Sequence, residues 1–197
     1  MNDAIKKAGE RVRLLLPKEA VSKEEATLII RRYTAAIEGN FVSWMGTAAI
    51  TARSVQGRYA DSENLGVEMK DNHAGMLRTF AKAAGAEPEK ADYQFVDSAV
   101  ESIRTMVAKM SGLKNLTLMA VLENTSAEFI PLLEKLAQQL GSTNLTYTKI
   151  HGEADIAHAD QFVWAVEHES VHYTDADKQI AIAVEAAIKF LEEVFKT

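Results

Sequence analysis

Tyr147-Thr148-Lys149-Ile150-His151-Gly152-Glu153-Ala154-Asp155-Ile156-Ala157-His158 combines a helical rhythm with three metal-binding side chains. On an α-helix, His151, Asp155 and His158 follow one another at four and then three residues, so at roughly 100° per residue they lie within about a 60° arc of one face. Two imidazoles and a carboxylate so placed suit a first-row transition metal better than Mg²⁺ or Ca²⁺, which prefer all-oxygen shells. Surface residues reach the same spacing by chance, so the triplet is a site only if ligands arrive from elsewhere.

The same helical rhythm extends in both directions. From 147 it runs through Phe162 and Trp164 towards Glu169, and residues 175–196 form a last amphipathic helix. Upstream, prolines stand only at 17, 88 and 131, leaving long stretches without breakers in which Ala, Leu, Glu and Lys favour helix. Residues 1–16 read as a short helix ended by Pro17. Ser22-Lys23-Glu24-Glu25 has the form of a capping box and should start the next, which continues through Leu28, Ile29 and Ile37 with an interruption near Gly39-Asn40. Asp61 to Asn64 reads as a loop. Residues 65–84 form an amphipathic helix with a break around Asp71-Asn72, and residues 93–110 and 115–140 give two more, with Pro131 predicting a kink or a new start. The β-branched runs 145–150 and 163–166 are too short to build a sheet. The expectation is an all-α, single-domain bundle of about seven helices spanning residues 1–197.

A net charge of −6 without a Lys/Arg stripe argues against nucleic acid as a partner. Cysteine is absent, which excludes a disulfide framework, a thiolate metal site and a thiol nucleophile. Any metal must therefore be held by His and carboxylates. The first 16 residues are charged and lack the apolar core of a signal peptide, and no run reads as a membrane span. The expected setting is the cytoplasm.

Histidine occurs at 73, 151, 158, 168 and 172. His73 follows Glu68 by five residues, a step that does not fit one regular helical face, so a loop or π-bulge is expected between them. Glu123 ends the apolar run 116–122, where an unpaired buried carboxylate would cost several kcal/mol, a cost that a metal would remove. Glu68 and Glu123 could equally be solvated helix residues. His168 and His172 share a face but have no carboxylate at a matching step and read as surface or packing residues. Phe41, Trp44, Met45, Met119, Phe162 and Trp164 read as core.

The order Glu68, His73, Glu123, then His151-x-x-x-Asp155-x-x-His158 resembles the haem-oxygenase-like di-metal oxidases, the superfamily that also contains the TenA and PqqC folds. The likeness covers most of the chain, and the C-terminal triad is its most specific part, with spacing similar to the para-aminobenzoate-synthase-like branch. The Glu68 to His73 gap is shorter than that family's. Leu122, not Tyr, precedes Glu123, so chemistry on an internal tyrosine is only partly matched, by Tyr147 one turn before His151.

The resemblance implies two iron ions, or one iron and one manganese, held by Glu68, His73, Glu123, His151, Asp155 and His158. Glu123 would be the bridging or shared ligand and Tyr147 a residue near the metals. It implies O₂-dependent oxidation of a small organic substrate. A homodimer is also expected from the family, with the apolar C-terminal helix as a candidate face. A TenA-like hydrolase would be expected to carry a Cys nucleophile, and a haem oxygenase an axial His near the start of the chain; neither is present. The alternative from another class is a metal-free helical scaffold whose polar residues pair with one another.

Overall fold

The computed structural model describes residues 3–17, 20–152 and 157–196 in full, and residues 2 and 153–156 by backbone alone. Among them are nine α-helices and no strand: α1 (Asn2–Leu15), α2 (Lys23–Ile37), α3 (Asn40–Thr51), α4 (Val55–Lys70), α5 (His73–Ala83), α6 (Lys90–Lys109), α7 (Gly112–Gln139), α8 (Thr146–Ser170) and α9 (Ala176–Phe195). The all-α expectation holds, with more helices than the seven expected because short breaks divide runs that look continuous in sequence.

The local signals act where they stand. Ser22 caps α2: its side chain accepts the Glu25 N–H, and the Glu25 carboxylate accepts the Ser22 N–H. Asn72, in the left-handed conformation at φ 53°, separates α4 from α5 and accepts the Gly75 N–H on its side chain, a role asparagine fills better than most residues. Pro131 neither starts a helix nor ends one; α7 runs through it for 28 residues.

Two readings are corrected. Asp61 to Asn64 is not a loop but the middle of α4, where Gly57, Ala60, Asp61, Asn64 and Glu68 form the buried face. Asp61 and Asn64 are on that buried face, while Ser62 and Glu63 point outward to water. Trp164 is 40% exposed and stands outside the core, whereas Trp44, Met45, Met119 and Phe162 are fully buried and Phe41 packs partly buried against them.

The centre of the bundle is α7, which packs against α1, α3, α8 and α9. Leu113, Leu116, Leu118, Met119, Val121 and Leu122 are all buried, the all-round pattern of a helix enclosed by others. By length and apolarity alone α7 could cross a membrane, but most of its apolar stretch is buried within the bundle. The apolar side of α9, including Ile180, Val184, Ile188 and Phe195, is likewise turned into the chain's own core and is not left bare for a partner.

At the N-terminal end of α7 the turn between α3 and α4 lies directly on Gly112. A Cβ there would stand 2.4 Å from the Thr51 carbonyl oxygen and 2.6 Å from the Ala52 Cα. Both are backbone atoms that cannot rotate away. Gly112→Ala should therefore destabilise the protein by about 1–3 kcal/mol, read as a fall in the denaturant midpoint with an unchanged slope.

Candidate metal centre

Glu68 comes from the last turn of α4 and His73 from the first of α5. The left-handed Asn72 between them turns the chain, so the five-residue step closes in space: His73 Nδ1 lies 2.6 Å from Glu68 Oε1. The packing of α8 against α4, α5 and α7 brings in His151, whose ring centroid is 4.6 Å from that of His73. Glu68, His73 and His151 each offer a ligand atom within 4.8 Å of the others, and all three are buried.

Glu123, from mid-α7, is 5% exposed, and its Oε1 lies 3.9 Å from His158 Nδ1. Glu123 thus lies between the buried His151, with which it lines one cavity, and the half-buried His158. The backbone places Asp155 on α8 between the two histidines, but its side chain lies outside the described residues. His168 and His172 are remote from this group: His168 Nδ1 donates to the Trp164 carbonyl and His172 is exposed.

His151 is held in the form that a metal ligand needs. Its Nδ1 lies 2.8 Å from the Tyr147 carbonyl oxygen, which can only accept, so Nδ1 carries the proton and Nε2 keeps its lone pair. Burial lowers its pKa to about 4; the Tyr147 carbonyl opposes this in part and His73 and His158 add to the lowering. His158 is lowered too, first by burial. Both rings are neutral at pH 7, as metal binding requires.

The centre opens on a cavity of about 50 Å³ lined by Glu68, His73, Glu123 and His151 together with apolar side chains. Tyr147 is on its wall, buried, with its hydroxyl 3.0 Å from that of Tyr33 and its ring 4.1 Å from that of His151. Tyr33 and Glu38, also on the wall, were not singled out by sequence reasoning. The only signal for Tyr33 is its place on the buried face of α2 with Ile29 and Ile30; Glu38 carries none.

Asp61, two turns before Glu68 on the same face of α4, is fully buried, and neither oxygen has a hydrogen-bond partner. Burial raises its pKa to about 8, only partly offset by the nearby Ala49 N–H. The folded chain thus holds a proton that the unfolded chain releases above its ordinary value of 3.8. Asp61 contributes fully below that pH, and stability falls as pH rises from there towards 8. Asp61→Asn should stabilise the protein at pH 7 by about 1–2 kcal/mol and flatten this decline. Chemical denaturation at pH 5, 7 and 8 would read both effects; a variant less stable than the parent at every pH would refute them.

These features define a class: a helical bundle with a buried cluster of imidazoles and carboxylates beside an apolar cavity. Residues 32–192 match the family described as "Iron-containing redox enzyme". The chain belongs to this haem-oxygenase-like family and is a redox enzyme. No curated protein matches it significantly.

Proposed function

We propose that the protein is a non-haem oxidase or oxygenase that uses dioxygen to oxidise a small organic substrate bound in the cavity. The observation that carries this reading is the convergence of Glu68, His73 and His151 within 4.8 Å in a buried site that opens on an apolar cavity. The donor set fits iron. It consists of carboxylate oxygens and neutral imidazole nitrogens without thiolates, and a divalent ion would offset the cost of burying Glu68 and Glu123.

Two iron ions, or one iron and one manganese, would be held by Glu68, His73, Glu123, His151, Asp155 and His158. Glu68 and His73 would serve one position, the α8 residues the other, and Glu123 both. Such metals would supply, when bound there, the electrons for the reduction of dioxygen. The protein's own residues supply the rest. The contact between His73 Nδ1 and the Glu68 carboxylate fixes the His73 ring beside the cavity. The Tyr147 carbonyl holds His151 with Nε2 free. The hydroxyls of Tyr147 and Tyr33 hold a proton beside the cavity, and the apolar wall keeps bulk water out.

Anaerobic loading with Fe²⁺ followed by elemental analysis tests the proposal. Two equivalents of iron per chain, with oxygen uptake on exposure to air, are the expected result. A chain that retains no metal would overturn it and leave the scaffold alternative.

A further inference from the structure

Glu38 caps the C-terminal end of α2. The following Gly39 takes the left-handed conformation at φ 71°, which glycine adopts without strain, and this turn from α2 into α3 sets Glu38 on the cavity wall. The side chain is only 12% exposed, and Oε1 pairs with Arg78, itself 59% exposed. Oε2 is buried and has no hydrogen-bond partner. A buried carboxylate oxygen without a donor is costly, and most of the cavity offers it only hydrocarbon. The charge balance nearby is also acidic, since Arg78 feels Glu38 and Glu87 together.

We propose that Glu38 selects the substrate: its Oε2 receives the ammonium group of a slender apolar amine whose hydrocarbon part lies against Ile37, Phe41, Leu77 and Leu122. The proposal rests on reading the cavity as the substrate site. An ammonium group gives Oε2 the donor it lacks and complements the acidic balance, whereas a carboxylate would meet a like charge. The small volume of the cavity, about 50 Å³, favours a slender molecule over a bulky one. The metal-binding side chains line the same cavity, so a bound amine would present its carbon atoms to them.

The test titrates the full-length, iron-loaded protein, kept anaerobic, with n-hexylamine and with hexanoate by calorimetry. Hexylamine should bind at least about tenfold more tightly. Glu38→Gln, isosteric and unable to attract a cation, should bring the two ligands to within about threefold. Equal affinities in the parent protein, or a preference that survives Glu38→Gln, would overturn the proposal. Arg78→Ala offers a second variant at an exposed position. Freeing the other Glu38 oxygen should widen the preference for the amine, and an unchanged or narrower preference counts against it. The same titration on the metal-free chain separates this idea from the oxidase reading. A Glu38-dependent preference in a protein that takes up no iron would retire the oxidase alone; iron and oxygen uptake without the preference would retire the amine alone.

Discussion

His151→Ala should lose both iron and oxygen uptake, with activity down at least about a hundredfold. His151 is the ring that contacts His73 on one side and Tyr147 on the other, and the Tyr147 carbonyl already directs its protonation. Alanine removes the ligand atom from α8 that lies within 4.8 Å of both Glu68 and His73. Glu123→Ala should have the same consequence from the α7 side. Metal content after anaerobic loading, measured with oxygen uptake, checks both. Retention of the full metal complement by His151→Ala, with undiminished oxygen uptake, would remove His151 from the site. Circular dichroism distinguishes a lost ligand from a lost fold, and the former is expected, because the position leaves room for a smaller side chain at the cavity wall.

The second large effect concerns the fold. Glu169, fully buried near the end of α8, accepts the Arg53 N–H at 2.9 and 3.0 Å and the Ser54 N–H at 2.7 Å, and the Tyr173 hydroxyl at 3.1 Å. It holds the start of α4, the helix that carries Glu68, against α8. Burial alone would raise its pKa, but the N–H groups of Arg53 and Ser54, together with the Ser54 and Tyr173 hydroxyls, more than offset this and the net shift is downward. A carboxylate at a helix N-terminus is also favoured by the helix dipole. Glu169→Ala strands these buried donors and should cost about 3 kcal/mol, a fall in Tm of about 6–12 °C in a chain of this size.

The pH dependence of this effect has a definite sign. The folded pKa is depressed, so the contribution of Glu169 is present above the ordinary glutamate value of 4.5 and is lost as pH falls below it through the folded value. The difference between parent and variant should therefore shrink in acid. Thermal melts at pH 7 and pH 4 would show it, and a difference that grows in acid would contradict the assignment.

What was legible in the sequence is what depends on neighbours along the chain. Helix periodicity, the Ser22 capping box and the break at Asp71-Asn72 are set by residues within a turn or two of one another, and the four-and-three spacing of His151, Asp155 and His158 puts them on one face whatever surrounds the helix. Asp61 to Asn64 misled for a related reason: a polar run resembles a loop when the surface it packs against is unknown.

The sequence by itself determined that this chain is a helical bundle without thiols, whose available metal donors are imidazoles and carboxylates. Only the tertiary structure decided which carboxylates are buried, that Glu68 and His73 close on His151, that Tyr33 meets Tyr147 across 114 residues, and that Glu38 looks into the cavity. The physical reason is that burial, and with it the charge state and reactivity of a side chain, is imposed by helices distant in sequence, and no local pattern encodes which ones they will be.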